Sequence, residues 1–285
     1  MRHPRTSSFE LFPGHKFYLP SYGGVFAILG WYLVGAVLAS IVSAVSGFLA
    51  SPEFTSSYLF LIIYPLQFAP AMIYVSVKSQ REEGFDNAGV PLDSSRFSPV
   101  GGLWMALMVT VGTFCCAFVV EPSALLLPDM PDMFKKAMEQ LTQGPIWSAL
   151  LTTAVLAPIF EEWLCRGVVL RGLLEHTSPV KAILLSALFF AVIHMNPWQG
   201  IPAFALGCLF GLVYWKTGSL KLTMLMHCVN NAVSVVLSRI PGLDEDATMC
   251  DLFSEKWQYA LVYAACAAVL ALCVAKLIKT EFKEK

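Results

Sequence analysis

Three short stretches hold nearly all the ionisable side chains that fall inside apolar sequence, and each sets functional groups one helical turn apart. They are Glu161-Glu162-x-x-x-Arg166, Phe190-x-x-x-His194 and His227-x-x-x-Asn231, the last with Asn230 beside it. Residues four apart share a helix face, so Glu162 and Arg166 can pair. Glu161 points about 100° away and is not neutralised by that pair. A carboxylate without a cation in a poorly solvated place suits general-base work. Phe190 and His194 put a ring and an imidazole on one face, and Asn196-Pro197 ends that helix directly afterwards. His227 and Asn231 share a face, with Asn230 close to it. Together these groups can deprotonate a water and stabilise an oxyanion.

Glu161, His194 and His227 are also a possible three-ligand zinc set, since Zn²⁺ takes nitrogen and oxygen donors. Two points favour direct water activation by a carboxylate such as Glu161, with no obligatory metal. Ligating histidines usually lean on a further acceptor, and few are visible near His194 beyond backbone carbonyls. Asn231 beside His227 also fits an oxyanion better than a zinc ion. Each motif has an ordinary structural reading: a lone histidine satisfied in a core, His and Asn joining helices by hydrogen bonds, a solvated cluster at a helix end. Three such faces on three separate segments shift the balance toward a shared site.

The elements that position these groups follow from composition. Of 285 residues, 56% are hydrophobic and 14% charged, where a soluble domain has about 25% charged residues. Mean hydropathy is +0.64. A soluble fold of this size cannot hide so much apolar surface. With 19 Lys and Arg against 20 Asp and Glu, the chain has no basic footprint for nucleic acid. The eight cysteines lie mostly within apolar runs, with no C-x-x-C, and read as small hydrophobes.

Runs long enough for a bilayer helix predict about eight spans. They are roughly Tyr22–Phe48, Ser57–Val77, Pro99–Val120, Pro145–Leu164, Val180–Met195, Gly200–Trp215, Leu220–Leu237 and Trp257–Leu277, the fifth and sixth short. The expectation is an all-α polytopic bundle, a single integral-membrane domain over residues 1–285 with a catalytic core at about 145–237. The Glu-Glu cluster then ends the fourth span, and Pro158 just before it should bend that helix and open room for water. Fifteen Lys and Arg fall on the side of the termini and four on the other, so both termini are expected in the cytoplasm. By the same count the site is expected to open on the cytoplasmic side, although His194 then lies deeper than His227. On the other side, residues 121–144 include a candidate surface helix near Met133–Leu141, and residues 239–256 carry the acidic Asp244-Glu245-Asp246.

H-E-x-x-H and G-x-S-x-G are absent, and no Asp lies in a central span, which removes the zincin, serine-elbow and aspartyl intramembrane types. In order and spacing, the three motifs resemble the signature of the CAAX-protease and bacteriocin-processing (Abi) family, over about Ala154–Val235. The resemblance implies an eight-helix intramembrane endopeptidase, similar to the type II CAAX prenyl endopeptidases, acting on a membrane-associated and in some members lipidated substrate. It implies that Glu161 and His194 activate water, that His227 and Asn231 stabilise the oxyanion, and that Arg166 is structural, with Glu162, Phe190 and Asn230 in support. It leaves the metal open, because the family is often labelled metalloprotease. A multi-pass protein of the plasma or inner membrane in a prokaryote, or of the endoplasmic reticulum in a eukaryote, is the matching location. The alternatives are a non-catalytic scaffold or bacteriocin-immunity protein of the same fold, and a transporter. A transporter should show inverted repeats or matched broken helices, which the sequence lacks.

Overall fold

The computed structural model describes residues 12–84, 89–142, 144–240 and 249–283. Arg2, Arg5, Lys285 and the Asp244-Glu245-Asp246 run lie outside them. The described chain is helical in the expected order: α1 (Tyr22–Leu49), α2 (Leu59–Glu82), α3 (Gly102–Val120), α4 (Asp132–Thr142), α5 (Ile146–His176), α6 (Pro179–Ile193), α7 (Pro197–Thr217), α8 (Leu220–Leu237) and α9 (Lys256–Lys279). All but α4 and α6 are long and apolar enough to cross a membrane, and α6 is a shorter apolar helix of 15 residues. This is the all-α polytopic bundle expected of a multi-pass membrane protein. The candidate surface helix is α4, lying between α3 and α5.

Two span boundaries differ from the sequence reading. The fourth span does not end near Leu164 but runs on to His176, so Glu161 sits midway along α5 rather than at its tip. Every residue from Glu161 to Leu173 is buried, and a helix covered all round belongs at the centre of its bundle. Gly167-Val168-Val169-Leu170 gave no reason to stop, and the charges that suggested an end meet buried partners instead of solvent. The sixth span is not short. Asn196 accepts from the Gln199 N–H at 2.8 Å and Pro197 sits at the first helical position, so α7 begins three residues earlier than expected and has 21 residues.

Pro158 does not simply break α5. The stretch Leu151–Leu156 before it winds wider, with the Ala157 N–H bonded to the Thr152 carbonyl five residues back. A second wide stretch covers Trp163–Leu170. Such π-type turns are rare and tend to mark functional sites. They leave α5 continuous while shifting the side chains on either side of the two glutamates.

Close helix contacts fix the surroundings of α5. At Gly35 of α1, a Cβ would lie 1.9 Å from the Gln67 carbonyl oxygen of α2, so only glycine lets these helices meet there. At Gly207 of α7, a Cβ would lie 3.1 Å from Ala187 of α6, so α6 and α7 pack closely there.

The two ends of the bundle differ. The end carrying the termini is sealed around Arg171, whose guanidinium donates to the carbonyls of His15 at 2.9 Å, Tyr18 at 3.0 Å and Val90. Among the described residues, Lys16, Lys78, Arg81, Arg96, Arg171, Lys181, Lys216, Lys221, Lys276, Lys279 and Lys283 belong to this end. Lys135, Lys136, Arg239 and Lys256 belong to the other. Arg166, one of the fifteen Lys and Arg assigned above to the side of the termini, belongs to neither end, because it is fully buried well inside α5.

The seal contains a pH-sensitive contact. His15 is buried and its Nδ1 accepts from the Trp163 indole N–H at 3.0 Å, which requires that nitrogen to be unprotonated. Burial, reinforced by the Arg171 guanidinium, lowers its pKa to about 4. In the unfolded chain histidine titrates near 6.5. The stability tied to neutral His15 is therefore complete above about pH 6.5 and is lost as pH falls toward about 4. Thermal unfolding across that window should show a shallower loss in His15→Gln than in the wild type, and parallel curves would remove His15 as the source.

Candidate active site

The fold brings the three motifs together around one cavity of about 1000 Å³. Glu161, Phe190, His194, His227, Asn230 and Asn231 all line it. Glu162 and Arg166 lie behind this wall, both fully buried.

The Glu162–Arg166 pair forms as helix spacing suggests, with Arg166 Nη1 donating to Glu162 Oε1 at 2.8 Å. Arg166 Nη2 donates to the Gly207 carbonyl at 3.0 Å, and the guanidinium carbon lies 4.6 Å from the Phe190 ring centroid and 5.3 Å from that of Phe210. Hydrogen bonds and two ring faces thus surround a charge that would otherwise be costly to bury.

Glu162 has a second partner. Its Oε1 accepts from His227 Nδ1 at 3.0 Å. That bond orients the imidazole and turns Nε2 toward Glu161 Oε2, 3.8 Å away. His227 is held further by the Phe190 ring at 5.6 Å and the Phe210 ring at 5.8 Å. A carboxylate behind a histidine, fixing which nitrogen faces the site, is a recurrent device in catalytic and metal centres alike.

Glu161 is not without a partner, contrary to the sequence reading. Its Oε1 accepts from the Tyr64 hydroxyl of α2. Its Oε2 accepts no hydrogen bond among the described residues. The carboxylate is therefore anchored through one oxygen, while the other is buried without a hydrogen bond, 3.8 Å from His227 Nε2.

His194 follows the last residue of α6. Its Nδ1 lies 2.7 Å from the Phe190 carbonyl, which can only accept, so Nδ1 carries a proton and Nε2 is the nitrogen with a lone pair in the neutral ring. The Phe190 ring stands edge-on to it at 4.9 Å. Met195, directly after, takes φ of 55°, a left-handed conformation that costs a non-glycine residue on the order of 1–3 kcal/mol. That turn reverses the chain into Asn196 and α7 and keeps His194 at the cavity.

Asn231 uses one amide proton on the Thr153 carbonyl at 2.8 Å, within the wide stretch of α5, and its Oδ1 accepts from Asn230 at 3.2 Å. These bonds fix the amide plane. Tyr32 and Gln67 complete the wall: Gln67 donates to the Tyr32 hydroxyl, which donates to the Ile193 carbonyl at 2.9 Å, next to His194.

Tyr64, Tyr32, Gln67, Phe210 and Thr153 were missed by sequence reasoning. Tyr64 and Gln67 had a signal, being polar, three apart and inside an apolar run. The others had none, since a tyrosine, a phenylalanine or a backbone carbonyl in a span is unremarked until its neighbour is known.

Among the described residues, no group of three His, Cys, Asp or Glu side chains is arranged to hold a metal ion. Glu161 and His227 approach each other at 3.8 Å.

The cavity leads to the end opposite the termini. It is lined there by Glu121, Ser123, Met130, Lys135, Met138 and Glu139 of α4 and the segment before it, by Trp198 and Gln199 at the start of α7, and by Leu237, Ser238, Met249 and Leu252. The expectation of an opening on the side of the termini is overturned. That end is filled by the Arg171 seal, and entry from the opposite end also removes the anomaly in depth, since His194 now comes before Asn231 and His227.

Residues 143–233 match the family model described as type II CAAX prenyl endopeptidase Rce1-like. The matched segment runs from the start of α5 to within α8 and contains all three motifs. No curated protein and no solved structure matches the chain. The family match bears out the resemblance read from the motifs, at the level of a CAAX-type membrane protease domain.

Proposed function

We propose that the chain is an intramembrane endopeptidase that hydrolyses a peptide bond of a membrane-associated substrate, with Glu161 and His194 activating water directly. The observation that carries this reading is the half-anchored carboxylate of Glu161. Tyr64 holds one oxygen, and the other accepts no hydrogen bond among the described residues and faces His227 Nε2 at 3.8 Å, in the wall of a cavity shared with His194, His227 and Asn231.

In this reading a water bound by Glu161 and the bare Nε2 of His194 loses a proton to the carboxylate as its oxygen attacks the carbonyl carbon. A C–O bond forms and the carbonyl oxygen becomes an oxyanion. His227, with its Nδ1–H held by Glu162, donates through a protonated Nε2. Asn231 donates through the amide proton not used on Thr153. Collapse of the tetrahedral species breaks the C–N bond, and the proton taken from water passes to the leaving amine. Removing one oxyanion donor typically costs about 10²–10³ in kcat. Asn231→Ala should therefore lower kcat by about that factor with KM little changed, and a wild-type kcat would remove Asn231 from the role.

The test is to incubate purified protein with a farnesylated CAAX peptide and with acylated membrane-tethered peptides, reading products by mass, with metal analysis and chelator treatment alongside. Cleavage that survives chelation supports direct water activation. Stoichiometric zinc whose removal stops cleavage and whose return restores it would make Glu161 a ligand instead. Intact peptides throughout would favour the scaffold reading.

A further inference from the structure

We infer that the active-site cavity opens on the non-cytoplasmic face of the membrane, so that the substrate is a polypeptide anchored in or presented at that face. This rests on the peptidase reading for the word substrate, but not for the direction of the opening. Two independent observations combine.

The first is the shape of the cavity. From Glu161, midway along α5, its walls pass His227 and Asn231 and reach Ser238 at the end of α8 and Met138 of α4. No lining residue comes from the loops or helix ends on the side of the termini. That side is closed by buried α5 and by the three carbonyls gathered on Arg171.

The second is charge. Cytoplasmic ends of spans carry the excess of Lys and Arg. Among the described residues, the sealed end has eleven such residues and the open end four. The bias does not depend on Arg166, which is buried at mid-span. Both observations concern the same bundle axis, and they put the mouth away from the cytoplasm.

The consequence for substrate chemistry is direct. A lipidated peptide held in the cytoplasmic leaflet meets the closed end. A chain crossing or emerging from the membrane on the other side meets a mouth with apolar walls at Phe114 and Phe118 and charged groups at Glu121 and Glu139. Amphipathic α4 lies along this entrance, with Phe134 of α4 against Trp198 of α7, ring centroids 5.5 Å apart.

The experiment is sidedness labelling in intact cells with a membrane-impermeant maleimide. Ser238→Cys reports the mouth, exposed Lys136→Cys reports α4 at the same end, and exposed Lys181→Cys reports the sealed end. The wild type sets the background from its eight cysteines. Ser238→Cys and Lys136→Cys should label above background before permeabilisation, and Lys181→Cys only after it. The reverse pattern overturns the inference. So does a Ser238→Cys protein that stays unlabelled on both sides while Lys136→Cys labels, because the mouth is then not open to water. Labelling needs no catalysis, so a protein that labels as expected yet cleaves no peptide defeats the peptidase reading and leaves the direction of the opening standing.

Discussion

Glu161→Gln should leave the bundle folded and remove peptide cleavage. Glutamine keeps the shape of glutamate, and its carbonyl oxygen can still accept from Tyr64, the one hydrogen bond that holds this side chain among the described residues. What it loses is the ability to take a proton from water. General-base assistance contributes about 10²–10⁴-fold, so cleavage should fall by at least about 10². Thermal unfolding and gel filtration should match the wild type. Cleavage at the wild-type rate would show that Glu161 is not the base. Loss of cleavage together with unfolding would make its role structural.

Glu162→Ala should instead damage the fold. Glu162 and Arg166 are both fully buried and paired at 2.8 Å. Breaking a buried pair by removing one partner costs about 3–5 kcal/mol, because the remaining charge is left uncompensated. That is a large share of the 5–15 kcal/mol that holds a typical domain together. Arg166 would keep the Gly207 carbonyl and two ring faces, which cannot replace a carboxylate. The double variant Glu162→Met/Arg166→Met leaves no lone charge and should recover much of the stability. It should not recover cleavage, since His227 would still lack the acceptor at 3.0 Å that orients it. Equal stability of the single variant and the wild type in thermal unfolding would contradict the pairing argument.

The parts legible in the sequence were those that depend on one helix at a time. Spacing placed Glu162 with Arg166, and the structure pairs them. It put Phe190 and His194 on one face, and the ring stands against the imidazole. It set His227 and Asn231 on one face, and both reach the same cavity. Hydropathy gave the spans because a bilayer tolerates little else.

The parts that stayed hidden depend on which helices face each other. The Tyr64–Glu161 bond joins residues 97 apart, and nothing in periodicity links them. The Gly207 carbonyl became a partner of Arg166 only because α7 packs beside α5. The helix end expected near Leu164 failed for the same reason: the charges meet buried partners, not solvent. Lys and Arg counts report which end of a bundle meets the cytoplasm, but not which end is hollow, so the direction of the opening required the packing.

The most direct measurement is product analysis in water enriched in ¹⁸O, with the purified protein in liposomes and peptides tethered to either leaflet. The wild type should yield a new carboxyl terminus carrying ¹⁸O, and Glu161→Gln should yield none. Undiminished product from Glu161→Gln, or intact peptides from the wild type on both leaflets, would contradict hydrolysis at this carboxylate.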